Sequence, residues 1–199
     1  ALSLSTEETY WLLKLPYFDP AYIDYLSKYR FNPEQVQVVD DDGDLNVTIS
    51  GLWMETVLWE VPLLAIVSEL AVLITADYKD FAESTRDKCR QFDSNETQYI
   101  EFGTRRRLSF LAQAIAVEEM GTTQLTGFQG TSNLLLAKIY GVTPKGSMPH
   151  EWIMGISKSH PIQSANNTAM FLWLGMYGNN SIALTDTFTS DFFFKYCAQ

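Results

Sequence analysis

Cysteine, histidine and basic side chains are the scarce components of this chain. The two cysteines, Cys89 and Cys197, lie far apart and fit no Cys-x-x-Cys spacing. Buried or free thiols in a reducing compartment are therefore expected. The two histidines, His150 and His160, have no ligand-spaced companions, so no zinc site is expected. Lys and Arg number 14 against 24 Asp and Glu, a formal charge of -10 that disfavours general nucleic-acid binding. An anionic ligand would have to be met by a local basic cluster, and Arg105-Arg106-Arg107 is the candidate. No apolar run can span a membrane: the longest, Val57 to Ile74, is broken by Glu60, Pro62 and Glu69. No initiator methionine or signal peptide is in view, and the chain starts abruptly inside a helical pattern. It reads as a segment of a longer protein, and triplets such as Asn46-Val47-Thr48 read as chance matches to glycosylation sites.

What is present is a packed core. Hydrophobic residues make up 46% and aromatics 14% of the 199 positions, enough for one domain, or a small domain plus part of a larger one.

Ser5-Thr6-Glu7-Glu8 has capping-box spacing ahead of a helix that Pro16 closes. Asp19-Pro20 opens a second helix as N-cap and first-turn proline. Val36, Val38 and Val39 lead into Asp40-Asp41-Asp42-Gly43-Asp44, and Leu45, Val47 and Ile49 lead out, a hairpin with a solvated acidic turn. Leu52 to Ala76 reads as a long helix, apolar nearly all round and buried between layers, in which Glu60 needs a partner. A polar helix is expected from Tyr78 to Phe92. Residues 1–96 thus read as part of an α+β lobe.

Residues 97–199 follow another grammar, short strand-like runs alternating with helical ones. The pairs are Tyr99 to Phe102 with Arg106 to Met120, and Gln124 to Phe128 with Ser132 to Tyr140, closed by Gly141. Then come Val142 to Met148 with His150 to Ser157 and Ile162 to Tyr177, and Ile182 to Leu184 with Phe188 to Tyr196. Such βα repetition predicts an α/β fold with a parallel sheet, here about half of a β/α barrel.

Reactive residues follow each strand-like run: Thr104 to Arg107, Gly130 to Asn133, Ser147 with His150, and Thr185-Asp186-Thr187. In a barrel all four turns would converge on the end that carries chemistry. Each has a plainer reading. Gly-Thr-Ser-Asn and Thr-Asp-Thr are ordinary helix caps, and a lone histidine is often structural. Three cations at a helix start oppose its dipole, which favours an anion-binding role for the arginines over structural ion pairs.

These motifs resemble those of the nicotinate phosphoribosyltransferases, with the fungal members as the nearest pattern. The resemblance is carried by Glu101 to Arg107, Gly130 to Asn133, Gly146-Ser147-Met148-Pro149-His150-Glu151-Trp152 and Ala183 to Phe188. Trp53 to Leu64 resembles the family's helix ahead of its barrel, and the chain matches the middle of a longer protein. The resemblance implies a partial barrel of the type II phosphoribosyltransferase kind, preceded by part of the α+β lobe. It implies that nicotinate and phosphoribosyl pyrophosphate give nicotinate mononucleotide in NAD salvage, with ATP hydrolysed through a phosphohistidine. His150 matches the phosphate acceptor and Asp186 a second catalytic position, near ribosyl hydroxyls or a magnesium-bound water. Arg105, Arg106, Thr131, Ser132 and Ser147 match substrate-binding positions. Ser147 stands where the family usually has threonine, and Pro149 where it usually has a small residue. Relatives that use nicotinamide carry an acid at the place of Ser132, so nicotinate is the expected substrate. The resemblance further implies Mg2+ bound with substrate phosphates, a homodimer at full length, and a location in the cytoplasm and also the nucleus. The isolated segment is expected to be inactive, since the resemblance places substrate-clamping parts beyond both its ends. The alternatives are an inactive structural or regulatory fragment, or a transferase using nicotinamide or quinolinate.

Overall fold

The computed structural model of the protein describes residues 3–72, 81–122 and 126–197. In chain order its elements are α1 (Thr6–Leu12), α2 (Pro20–Lys28), β1 (Val36–Asp41), β2 (Asp44–Ile49), α3 (Trp53–Thr56), α4 (Glu60–Val72) and α5 (Phe81–Ser94). They continue with β3 (Tyr99–Glu101), α6 (Phe110–Thr122), β4 (Phe128–Thr131), α7 (Leu134–Tyr140), α8 (His150–Ile156), α9 (Ile162–Tyr177) and α10 (Ser190–Cys197). The chain divides into two compact units. One is Ala1–Leu4 with Leu26–Lys145, the other Ser5–Tyr25 with Gly146–Gln199.

In the first unit β1 and β2 form the expected hairpin, from Val36 opposite Ile49 to Asp41 opposite Asp44. Asp42 and Gly43 make a two-residue turn with φ of 51° and 93°, the positive values whose twist matches right-handed strands. Asp40 Oδ1 accepts from Gly43 N at 2.9 Å, so the acidic run partly serves its own turn.

The apolar stretch after the hairpin departs from expectation. α3, a 3-10 turn over Val57–Trp59 and α4 replace one long helix, and residues 73–76 lie outside the described residues, as do 78–80 ahead of α5. Only Ala65 of α4 is buried, while Val61, Leu64, Ile66, Val67 and Leu70 are exposed. Burial all round needs cover on every side. The described chain supplies it chiefly where the turn Thr104–Arg106 packs on α4.

β3 and β4 pair in parallel across α6, Tyr99 opposite Phe128 and Glu101 opposite Thr131, so the first two expected strands form a βαβ unit. The second strand lies later than the expected 124–128, of which 124–125 are outside the described residues, and it takes in Gly130 and Thr131. Gly130 has φ of 133°, and a Cβ there would sit 2.0 Å from the Thr143 carbonyl oxygen, so only glycine permits this approach. Among the described residues the expected third run contributes an isolated parallel bridge between Thr131 and Pro144, and the fourth contributes no strand. Pro144 and Pro149 bring no N–H to a ladder.

α6 starts later than expected and α7 ends as expected. Ser109 Oγ accepts from Ala112 N at 3.0 Å at the start of α6. Gly141, at φ of 65°, closes α7 in the left-handed conformation. Ala114, Val117 and Leu136 form the core between these helices, with Tyr140 and Val142 packed against it.

The second unit is helical. Ser5 and Glu8 close the expected capping box on α1, with Glu8 N donating to Ser5 Oγ at 3.2 Å and Ser5 N to Glu8 Oε2 at 2.7 Å. Asp19 Oδ1 accepts from Ala21 N at 2.7 Å at the start of α2. Met148, Ile153 and Ala169 are the buried centre of α8 and α9, walled by Trp152, Trp173, Leu184 and Phe188. Full burial of such a side chain contributes about 1.5–3 kcal/mol.

Candidate functional site

Four of the candidate residues, Arg105, Arg106, Thr131 and Ser132, lie in the first unit. Ser147, His150 and Asp186 lie in the second.

The arginines precede α6 rather than beginning it. Arg105 and Arg106 sit in the 3-10 turn Thr104–Arg106, where Arg106 N donates to Gly103 O at 2.9 Å. Arg105 Nη1 lies 2.5 Å from Glu60 Oε1, with both side chains somewhat over one-third exposed (38% and 37%). This is the partner that Glu60 required. Arg106 is exposed. Arg107 is the least exposed of the three, at 17%, with Nη2 3.9 Å from Glu69 Oε2 and its guanidinium 5.1 Å from the centre of the Phe110 ring. Its Nε is buried and has no hydrogen-bond partner. Arg105 and Arg107 therefore make ion pairs within the fold, whereas their place ahead of a helix favours anion binding.

Beneath this turn lies a polar cluster. The Glu101 carboxylate accepts from Gly103 N, from Gln113 Nε2 at 3.1 Å on each oxygen, and from Thr131 Oγ1 at 2.6 Å. Thr131 is fully buried at the end of β4, and its hydroxyl also accepts from Asn133 N at 3.0 Å. Ser132 N donates to Glu101 O at 2.9 Å. Asn133 caps α7 through Oδ1, which accepts from Leu136 N at 3.1 Å. The Gly130–Asn133 turn is thus a helix cap, as its plainer reading held, and is also bonded to the residues under the arginines.

In the second unit His150 is the first residue of α8 and its side chain is 40% exposed. Its Nδ1 lies 3.2 Å from Thr187 Oγ1, and its Nε2 lies 4.0 Å from Asp186 Oδ1. Asp186 is more open, at 61%. Met148 N donates to Ile182 O at 3.0 Å, which holds the 147–150 turn alongside the 182–187 segment. Buried Met148 anchors that turn. Ser147 is half-buried, and its hydroxyl donates to Met148 O at 3.2 Å. An imidazole so held has one nitrogen facing a hydroxyl and the other facing a carboxylate, an arrangement able to orient a nucleophile or base.

Among the described residues no group of three or more His, Cys, Asp or Glu side chains could hold a metal ion. No described helix is long and apolar enough to cross a membrane.

Sequence reasoning overlooked Thr104, Gln113 and Thr187 as individual residues. Gln113 had a signal: it is the lone polar residue in Phe110-Leu111-Ala112-Gln113-Ala114-Ile115-Ala116-Val117. A buried amide in such a run must find partners.

The fold and these two clusters describe a mixed α/β protein with a βαβ unit and a helix-borne, partly exposed histidine. Residues 1–68 match the model of the nicotinate phosphoribosyltransferase N-terminal domain, and residues 97–198 match that of the nicotinate phosphoribosyltransferase family. The chain belongs to the nicotinate phosphoribosyltransferase family. The chain is 37% identical to a nicotinate phosphoribosyltransferase of Methanococcoides burtonii, over 98% of itself and 52% of that relative. It superimposes on the crystal structure of nicotinate phosphoribosyltransferase from Porphyromonas gingivalis with a TM-score of 0.90 and 37% identity, covering 98% of itself and 52% of that chain. A crystal structure from Saccharomyces cerevisiae matches with a TM-score of 0.84 and 36% identity, over the same shares of 98% and 52%. The identities to the bacterial and yeast proteins are alike, 37% and 36%, and do not single out the fungal members. The chain spans about half the length of the curated relatives it matches.

Proposed function

We propose that the protein is a nicotinate phosphoribosyltransferase of NAD salvage. The pyridine nitrogen of nicotinate attacks C1 of phosphoribosyl pyrophosphate, the C1–oxygen bond breaks, and pyrophosphate leaves with the bonding electrons. The observation that carries this reading is the extent of the family match, which over 97–198 includes all seven candidate residues.

In this reading residues 1–96 are part of the N-terminal α+β lobe and residues 97–199 the first half of an α/β barrel. Arg105 and Arg106 meet anionic oxygens of the substrates, and Thr131, Ser132 and Ser147 orient them. The uncharged Ser132 hydroxyl suits a carboxylate ligand, which a carboxylate side chain at that place would repel.

His150 accepts the γ-phosphoryl group of ATP. With its proton on Nδ1 directed to Thr187 Oγ1, the ring keeps the Nε2 lone pair for phosphorus, and the bond from phosphorus to the ADP oxygen breaks. Asp186, near Nε2, serves as the second catalytic group. Its exposed carboxylate would help to hold Mg2+ brought with the substrate phosphates, and the ion would supply charge neutralisation there. The whole protein works as a homodimer in the cytoplasm, and in the nucleus too.

The test incubates the purified whole protein with labelled nicotinate, phosphoribosyl pyrophosphate and Mg2+, with and without ATP. Formation of nicotinate mononucleotide, stimulated by ATP, is expected, and competition with nicotinamide and quinolinate should leave nicotinate preferred. No product under any condition, or selection of the amide, would overturn the proposal.

A further inference from the structure

Gln113 is 4% exposed, and its amide uses its whole hydrogen-bonding capacity. Nε2 donates to Glu101, at 3.1 Å from both oxygens, and to Thr104 Oγ1 at 2.8 Å. Oε1 accepts from Arg107 Nη1 at 3.3 Å and from Asn133 Nδ2 at 3.2 Å. The orientation is dictated by the neighbours, since the flipped amide would set oxygen against carboxylate and N–H against guanidinium. A glutamate carboxylate at this position would accept from the cation but could not donate to the anion.

The partners of this one amide come from separate segments. Glu101 ends β3, Thr104 and Arg107 belong to the arginine turn, and Asn133 follows β4. Asn133 Nδ2 also donates to Thr104 Oγ1 at 3.2 Å, which closes the network into a ring. We infer that Gln113 is a positioning residue for anion binding. It joins the turn carrying Arg105 and Arg106 to the turn carrying Ser132, so that cations and hydroxyl keep a fixed separation. The inference rests on the proposed reading that these turns receive the substrates' anionic groups. The donors on Glu101 have a further effect. They engage a carboxylate bonded to both turns, which would otherwise oppose an anion held there.

Two variants separate the contributions. Gln113→Glu keeps the shape and the oxygen that accepts two bonds but removes both N–H donors and puts a second carboxylate against Glu101. The charged groups facing that position are Glu101 from β3 and Arg107 from the turn, with Glu69 of α4 behind Arg107. Gln113→Leu removes every bond and adds no charge. The measurements are calorimetric binding of inorganic pyrophosphate from pH 8 to pH 5.5, and hydrogen exchange at the Gly103 and Ser132 amides.

With Gln113→Glu, pyrophosphate binding at pH 8 should weaken at least tenfold, then recover as the pH falls and the new carboxyl regains a proton to donate. With Gln113→Leu binding should be weak throughout, with faster exchange at both amides. A role in general stability would lower the melting temperature without this pH-dependent recovery. Wild-type binding and exchange in both variants, or weakening without recovery in Gln113→Glu, would overturn the inference. Pyrophosphate binding by a wild type that makes no nicotinate mononucleotide would remove the functional reading and leave this one standing. If the wild type binds no pyrophosphate, exchange decides: acceleration at both amides in Gln113→Leu supports the joint, and unchanged exchange overturns it.

Discussion

The Nδ1 atom of His150 lies 3.2 Å from the Thr187 hydroxyl oxygen, across 37 residues of sequence. A hydroxyl can accept from or donate to that nitrogen; in the proposed mechanism it accepts, which leaves the Nε2 lone pair free to react. Replacing Thr187 by valine keeps the bulk and removes the hydroxyl. A hydrogen bond of this kind has a net value of about 1 kcal/mol, so His150 should label from γ-labelled ATP roughly fivefold more slowly. An unchanged labelling rate would remove Thr187 from the mechanism.

His150→Asn should abolish acid-labile phosphate labelling and the stimulation by ATP, while a basal transfer of the phosphoribosyl group remains. Persistent labelling would place the acceptor elsewhere.

Glu60→Gln addresses the pair with Arg105. Both side chains are more than one-third exposed, so water and salt screen the pair and the loss of stability should be below about 1 kcal/mol. The gain falls on binding, because the guanidinium no longer has a competing carboxylate. Affinity for inorganic pyrophosphate should rise a fewfold, with a steeper salt dependence. Weaker binding would show that Glu60 holds Arg105 in place rather than competing for it.

Leu136 is fully buried between α6 and α7. Leu136→Ala should cost about 2–5 kcal/mol, visible as a lower urea midpoint, because the fixed backbones around it cannot close the cavity.

Burial, followed by the adjacent Cys89 thiol, pushes the Tyr99 phenol well above its usual value of 10.0. A group whose folded-state pKa is raised contributes stability that is fully present below the unfolded pKa. That contribution is lost as the pH rises through the folded value. The urea midpoint should therefore fall above about pH 10. Tyr99→Phe should remove this part of the alkaline loss at little cost near neutrality, since the buried hydroxyl meets nothing stronger than the weakly bonding Cys89 thiol. An identical alkaline profile in the variant would rule the phenol out.

What could be read along the chain was local. Ser5 with Glu8, Asp19 with Ala21, the Asp42-Gly43 turn and the Gly141 stop all act between residues at most a few positions apart, so composition and spacing determine them. The family motifs belong here too, being contiguous strings. The extended runs at 142–148 and 182–184 resembled strands in their residue types. A ladder depends on which N–H groups meet which carbonyls, however, and Pro144 has none to offer.

The sequence by itself determined the helix caps, the hairpin, the scarcity of cations and the family. The tertiary structure alone decided the partners: Glu60 with Arg105 across 45 residues, Gln113 with Glu101 across 12, and His150 with Thr187 across 37. It also decided that α4 leaves much of its apolar surface exposed. The reason is physical. A cap or turn is settled by neighbours on the same stretch of backbone, whereas a charge, an amide or an apolar face takes its role from whatever the folded chain brings beside it.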